Sequence, residues 1–377
     1  MMSEAILIKN GTIATMGDDG TLENGCVLIE NGKISKVGTN IEEPENCRVM
    51  DAHFVISLDD IAWIYNIRGQ DIACSPVIQS YTMITLNQAI LFVQDGALNK
   101  EQKEELEKEK IYVKDYKKII RFTENLPACV LLLDPDKVSD ELYHSFSDKV
   151  KKIEEMDPSV LMKAVKNSAE IEQPRSAHLC DGIAMTRYMY WLKHVPEEVH
   201  VTEEQKLHYT LVLKGMIDLA KARFHQGTCG QMLDYLARGP LLESGLDYNH
   251  GTGHGVGALL NVHEAPNYIH WRLPDHLKTV FQEGMLTSDE PGIYIEGSHG
   301  IRIENLILCV RDSEEGFLHF ETMTLCPIDL SAVKFEYLDI TEKKWLNQYH
   351  EKVYNNLGKF LPENERKWLK KVTEPIS

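Results

Sequence analysis

The sequence predicts an α+β protein in three parts, and three observations predict it. Residues 1–56 carry short apolar runs separated by Asn-Gly pairs, the pattern of a β-hairpin segment. Residues 57–156 alternate strand-like and helix-like stretches, as a small α/β domain does. Residues 157–377 place two long helical stretches ahead of a segment rich in Gly, His and strand formers.

In the first part, residues 5–8 lead through Asn10-Gly11 to 12–16, and 26–29 lead through Asn31-Gly32 to 33–37. Both residues of Asn-Gly accept the positive φ of a type I′ turn, so each unit reads as a hairpin. Fifty-odd residues of sheet bury little core alone and must lean on a neighbour. Ser57-Leu58-Asp59-Asp60 resembles a capping box with Asp in the Glu position, opening a short helix through Ile64. Strands are predicted at 81–85, 89–93 and 128–133. The alternating charges of 100–110 predict a helix with a solvated face. Long helices follow near 168–194 and 203–224, with Pro196 a natural stop between them. Helix returns over 341–371, where Trp345, Leu346, Tyr349, Val353 and Leu357 form a packing stripe.

Composition narrows the function. Acidic residues outnumber basic ones 58 to 40, for a formal charge of −18. That charge disfavours salt-dependent phosphate binding, so nucleic acid and anionic membrane are not expected partners. No apolar run approaches the roughly 20 residues of a membrane helix, and the N-terminus lacks the features of a signal peptide. The 8 cysteines are scattered without a C-x-x-C pair. They read as free thiols in a reducing cytoplasm.

The chemistry concentrates late in the chain. Six of the 15 histidines fall within 250–299: His250, His254, His263, His270, His276 and His299. Two carboxylates stand nearby, Glu290 before Pro291-Gly292 and Glu304 within Gly300-Ile301-Arg302-Ile303-Glu304-Asn305. Glu304 interrupts a strand-like run, and a carboxylate pointing inward from a sheet is costly unless paired or metal-bound. One imidazole with two carboxylates is a mixed N/O set suited to Mn²⁺, Fe²⁺, Co²⁺ or Zn²⁺. A Glu304–Arg302 or Glu290–Arg pair beside surface histidines accounts for the same residues equally well. The Gly251–Gly257 loop fails the G-x-G-x-x-G pattern at Val256 and lacks a P-loop lysine. Its glycines instead let backbone approach closely around His254.

Four ordered motifs carry a resemblance: 249–257, Leu260-Asn261-Val262-His263-Glu264, Glu290-Pro291-Gly292 and 300–305. With 57–69 and 325–350 they resemble the Xaa-Pro aminopeptidases, creatinase-like "pita-bread" metallopeptidases, over about 57–377. The resemblance implies removal of an N-terminal residue that precedes proline, so that peptides with proline second are the partners. It also implies a cytosolic homodimer and two metal ions, usually Mn²⁺. By motif position, His254, Glu290 and Glu304 match metal ligands, with Glu290 also a proton shuttle. His250 and His263 match histidines that orient substrate and stabilise the tetrahedral intermediate. Arg302 matches a substrate-side residue supporting Glu304.

Two departures follow. The family's other two ligands, aspartates between the helices matching 168–194 and 203–224, have no counterpart here. At most one ion is therefore expected, Mn²⁺ with Zn²⁺ or Co²⁺ as substitutes. Loss of that half-sheet is also expected to expose edge strands and apolar surface that the helices at 168–224 would normally cover. At the front, 1–56 resembles the small β-domain that opens amidohydrolases, and stops before any His-x-His metal motif. The expected architecture is a truncated pita-bread domain (157–377), a creatinase-like α/β domain (57–156) and a β-hairpin segment (1–56). The expected function is an impaired metal-dependent aminopeptidase. The alternative is a catalytically inactive pita-bread module that binds peptides or proteins.

Overall fold

A computed structural model describes residues 6–14, 21–30, 33–39, 41–42, 48–195, 200–274 and 278–377. The chain divides into two units, Met1–Lys163 and Ala164–Ser377.

The first unit opens with strands β1 (Ile6–Ala14), β2 (Thr21–Glu30), β3 (Lys33–Gly38) and β4 (Arg48–Met50), ordered β3-β2-β1-β4 in one sheet. The expected turn at Asn10-Gly11 is absent. Both residues lie inside β1, which pairs antiparallel with β2 and slips register on either side of Gly11. An Asn-Gly pair here makes an irregularity in a strand instead of a reversal, because a bulge and a turn draw on the same backbone freedom. The second expected hairpin has its flanks in place, with Glu30 opposite Lys33, while Asn31-Gly32 lies outside the described residues.

The rest of this unit comprises β5 (Ala52–Val55), α1 (Leu58–Ile64), β6 (Ser80–Thr85), β7 (Ala89–Val93), α2 (Lys100–Lys108) and β8 (Ile111–Asp115). After these come α3 (Ile119–Glu124), β9 (Cys129–Leu133), α4 (Asp140–Ser145), β10 (Val150–Glu154) and α5 (Pro158–Ala164). The strands form a mixed sheet ordered β10-β9-β5-β6-β7-β8. Alternate residues pack on opposite faces, Phe54, Phe92, Leu131 and Leu133 on one, Val55, Leu91 and Val93 on the other. Half of the anticipated capping box forms: Ser57 Oγ accepts from Asp60 N at 3.4 Å. The Asp60 carboxylate instead turns inward to Lys163, 3.5 Å away and buried like itself.

The second unit opens with α6 (Ser168–Leu192) and α7 (Glu203–Ala220), each started by a capping box, at Asn167/Glu170 and Thr202/Gln205. Pro196 lies outside the described residues. Then come β11 (Arg223–His225), α8 (Gly230–Leu242), β12 (Gly253–Gly255), β13 (Glu264–Ile269), β14 (Leu286–Asp289), β15 (Gly292–Ile295) and β16 (His299–Arg302). β17 (Asn305–Arg311), β18 (Phe317–Thr322), α9 (Ile340–Leu357) and α10 (Glu363–Val372) complete it. An antiparallel sheet runs β11-β18-β17-β14-β12-β13, while β15 and β16 pair only with each other among the described residues. The stripe on α9 packs as expected: Leu346, Tyr349, Val353 and Leu357 are buried and Trp345 stacks on Tyr349.

α6 mixes polar and apolar residues around its circumference, and Met185, Tyr188, Trp191 and Leu192 stand exposed on it. The described cysteines, seven of them, are free. No described helix is long and apolar enough to cross a membrane.

Candidate active site

The strand pairings of the second unit gather the candidate residues. β12 runs between β13 and β14, so His254 stands beside the end of β14, where Glu290 follows Asp289. Glycine flanks His254 for a steric reason. A Cβ on Gly253 would lie 1.9 Å from the Ser288 carbonyl oxygen, and one on Gly255 would lie 2.4 Å from that of Glu264. No side chain fits at either position, as the close-approach reading of this loop requires.

His254 Nδ1 donates to the Gly255 carbonyl at 2.9 Å, which leaves Nε2 facing Glu290 Oε1 at 3.2 Å. Ser288 Oγ donates to the same Glu290 oxygen at 2.9 Å, and the Glu290 amide donates to the Thr252 carbonyl at 2.8 Å. Arg302 Nη1 stands 3.5 Å from Glu290 Oε2. Burial alone would lower the His254 pKa, but its bonds to Glu290 and Gly255 outweigh that and raise it. Burial would likewise raise Glu290, and the His254 and Ser288 bonds, with Arg302, bring it below the usual carboxylate range. Each shift favours the charged form of its group. Glu304 is raised, by desolvation and then by the neighbouring Glu290 charge.

Two expectations about Glu304 change. The apolar run around it is two strands in separate sheets, and Glu304 lies in the link between β16 and β17, solvent-exposed and not pointing into a core. Arg302, expected to support Glu304, makes its ion pair with Glu290 and donates through Nε to the Tyr294 hydroxyl at 2.8 Å. A residue in a link is aimed by its neighbours' turns and not by the strand period, which is why the pattern misplaced it.

His250 and His263 approach from two sides. His250 Nδ1 lies 2.8 Å from the Gly251 carbonyl, which can only accept, so Nδ1 carries the proton. Nε2 then accepts from the Tyr294 hydroxyl at 3.0 Å, and the chain Arg302–Tyr294–His250 has one direction throughout. Burial lowers the His250 pKa and keeps the ring neutral. His263 is exposed, and its ring meets that of His254 edge-on, centroids 4.5 Å apart. His270 and His299 take other partners: His299 Nε2 meets His208 Nδ1 at 2.8 Å, and His270 Nδ1 accepts from the Arg272 amide. His276 lies outside the described residues.

Three functional neighbours carry no pattern in the sequence. Tyr294 is one. Arg238 on α8 is the second, 3% exposed and bonded to Asp234, Asp247 and the carbonyls of Tyr248 and His250. Asp289 is the third, fully buried with neither carboxyl oxygen hydrogen-bonded. Burial, then the Glu290 and Glu304 charges, raise the Asp289 pKa well above its ordinary value. A raised acid stabilises the fold only where it is protonated, fully below about pH 3.9, and loses that contribution as pH rises through the folded value. Asp289→Asn removes the charge and keeps the shape. The expected result is a gain of about 1–3 kcal/mol at neutral pH that shrinks toward pH 4. Thermal midpoints across that range check it.

Two of the candidate donors, His254 and Glu290, are spaced as two ligands of one divalent ion would be. Two bonds of about 2.1 Å to one ion set neighbouring donor atoms about 3.0–3.4 Å apart, and the His254–Glu290 spacing of 3.2 Å fits. With Glu304 the set is one nitrogen and two carboxylates, charged as such an ion requires. Among the described residues no group of three or more His, Cys, Asp or Glu is placed to hold a metal ion.

Comparisons with known proteins agree with this architecture. Residues 30–170 match the creatinase/prolidase N-terminal domain, 177–311 the metallopeptidase family M24, and 316–376 the C-terminal region of peptidase M24. A probable Xaa-Pro aminopeptidase P of Coccidioides posadasii is 32% identical over 424 residues, covering 86% of this chain and 69% of the relative. Aminopeptidase P1 of Arabidopsis thaliana is 28% identical, covering 86% and 70%. Since 86% of 377 residues is about 324, roughly 100 of the 424 aligned positions have no residue in this chain. An X-prolyl aminopeptidase from Caenorhabditis elegans, described as a cytosolic enzyme with a di-nuclear active site, superposes with a TM-score of 0.81. It shares 27% identity, covering 87% of this chain and 68% of its own. A prolidase from Pyrococcus horikoshii shares the fold at 0.55 and 21% identity, over 74% of this chain and 94% of its own. With its creatinase N-terminal and pita-bread M24 domains, the chain belongs to the Xaa-Pro aminopeptidase P family of metallopeptidases.

Proposed function

We propose that this protein removes the N-terminal residue of peptides carrying proline second, with one divalent ion where the nematode relative has two. The observation that supports it is the His254–Glu290 pair at 3.2 Å beside Glu304. His254, Glu290 and Glu304 would hold the ion, Mn²⁺ by family habit. When bound, it would supply Lewis-acid polarisation of the scissile carbonyl and lower the pKa of water. The remaining steps belong to the chain. Glu290, ionised and steered by Ser288, accepts a proton during attack and returns it to the leaving amine. His250, held by Tyr294, and His263 face the substrate carbonyl and stabilise its developing negative charge. Arg302 keeps Glu290 ionised.

The missing aligned positions include, in this reading, the two further aspartate ligands. One ion gives up the clamp on attacking and leaving atoms that two provide, so turnover falls well below that of a two-ion relative. The cytosolic description of the nematode enzyme supports a cytoplasmic location, and a homodimer is the expected assembly.

The test is incubation of the Mn²⁺-loaded protein with a tripeptide bearing proline second. Amine release that Glu304→Ala abolishes is expected; release untouched by that substitution overturns the reading. One observation favours the inactive binding module: Glu290 already has His254 and Arg302 as partners without an ion. Peptide binding without release, by calorimetry, would establish that reading instead.

A further inference from the structure

We infer that His208 and His299 are positioning residues for the site. The hydrogen bond between their rings holds the two-stranded ribbon of β15 and β16 against α7, and with it Tyr294 and Arg302, and that hold fails when both rings are protonated. The inference rests on the peptidase reading only in giving the alignment of Tyr294 and Arg302 a purpose.

Geometry comes first. In the ribbon Ile295 stands opposite His299 and Gly292 opposite Arg302, and neither strand shares a ladder with the main sheet among the described residues. One end of β16 therefore bears His299 and the other bears Arg302. His208 projects from α7, is 5% exposed, and sets its Nδ1 2.8 Å from His299 Nε2. Leu207 and Leu211 of α7 share one apolar cluster with Ile295 and Ile301 of the ribbon. Apolar packing holds the ribbon close but is non-directional, whereas a bond between two rings fixes a register. Farther along the ribbon, the Tyr294 hydroxyl reaches His250 Nε2 at 3.0 Å and Arg302 reaches Glu290 at 3.5 Å.

Chemistry comes second. An imidazole pair needs one N–H facing one bare nitrogen. His299 Nδ1 lies 2.9 Å from Ser298 Oγ, a hydroxyl that donates or accepts as the ring requires. An imidazolium donates to a neutral ring, so one added proton leaves both bonds intact. Two added protons set N–H against N–H and bring like charges together. Among the described residues the charged groups acting on His208 are His299 on the ribbon and Glu204, four residues earlier on α7. Burial and the His299 charge outweigh Glu204 and lower the His208 pKa. The ring is thus neutral while the ribbon is held and takes up a proton once freed. The hold is complete above about pH 6.5 and weakens as pH falls through that value toward the lower one of the held ring.

The test is native-state hydrogen exchange on the full chain between about pH 5 and pH 8, with amides of β15 and β16 compared with those of β17 after correction for intrinsic rates. Ribbon protection is expected to fall by up to about tenfold per pH unit below about pH 6.5, the effect of one proton taken up on release, while β17 stays constant. In His208→Asn, whose amide places a donor and an acceptor near the former Nδ1 and does not titrate, that pH dependence should vanish. Turnover of a tripeptide bearing proline second should then fall less steeply on the acid side than in the parent chain. Ribbon protection that tracks β17 at every pH, or a pH dependence that survives in His208→Asn, overturns the inference. Absence of turnover in the parent chain bears on the peptidase reading alone, because exchange is read without substrate. Should His208→Asn fold poorly, the ring resonances of the unaltered chain decide the question: coupled titration of the two rings supports the inference, and two independent single-step titrations reject it.

Discussion

Glu290→Gln should lower peptide turnover by about 10²–10⁴-fold and destabilise the metal-free protein within a defined pH window. The carboxylate has three partners in the site, His254 at 3.2 Å, Ser288 at 2.9 Å and Arg302 at 3.5 Å, and Glu304 opposes it as a like charge. The amide keeps the volume but cannot take up the proton, and it leaves two cationic groups facing a neutral one. The sign of the pH effect follows from the two shifts. Glu290 is lowered, so its contribution is present above about pH 4.3 and is lost as pH falls through the folded value. His254 is raised, so its contribution is complete below about pH 6.5 and disappears as pH rises through the folded value. The pair is thus worth most between those limits. The loss there should be about 1.5–3 kcal/mol, the range for hydrogen bonds to charged groups. Denaturant midpoints at pH 5.5 and pH 9 measure it; equal losses at both would mean that His254 is not the partner that matters.

Arg238→Met should cost about 3–5 kcal/mol, the usual result of removing one member of a buried ion pair. Arg238 is 3% exposed and lies over the Tyr248 ring, its carbon 3.8 Å from the ring centre. Its guanidinium bonds Asp234 through Nε at 2.8 Å, Asp247 and the Tyr248 carbonyl through Nη1 at 2.6 Å each, and the His250 carbonyl through Nη2 at 3.2 Å. Asp234 also accepts from Thr252 Oγ1 at 2.7 Å. One side chain therefore pins the segment from 247 to 252, which carries His250 and meets the Glu290 amide. Methionine keeps the apolar stem and strands Asp234 as a buried, unpaired charge. Double substitution with Asp234→Leu should recover part of the loss, and chemical denaturation of the two variants tests both statements. A loss below about 1 kcal/mol would show that water or a rearranged loop replaces the guanidinium.

Neither Arg238 nor Asp234 was visible in the sequence for its role. An Asp and an Arg four apart on a helix are ordinary on solvated faces; only the packing of α8 against α7 and β13 reveals that this pair is inside. Tyr294 reads as a strand aromatic until the ribbon is seen to hang it between His250 and Arg302. By contrast, β7 was legible to the residue because all five of its positions are buried and apolar. The long helices expected near 168–194 and 203–224 form as α6 and α7. The motif residues His250, His254, His263 and Glu290 do converge, because glycine forces the strands around them together. What failed was inference across irregularities. Asn10-Gly11 has the composition of a turn and the setting of a strand, and Glu304 sits where one sheet stops and another starts.

The ribbon of β15 and β16 has a thermodynamic consequence. It has no ladder to the main sheet among the described residues, and it is held by the packing of Ile293, Ile295 and Ile301 with Leu211, Val212 and Tyr248 and by side-chain contacts of His299, Tyr294 and Arg302 with His208, His250 and Glu290. Its opening free energy is therefore its own, smaller than that of the sheet that bears His254. Tyr294 and Arg302 ride on it. The site can then lose its alignment while the protein stays folded, and a population of inactive native molecules would grow with temperature before any global melting begins.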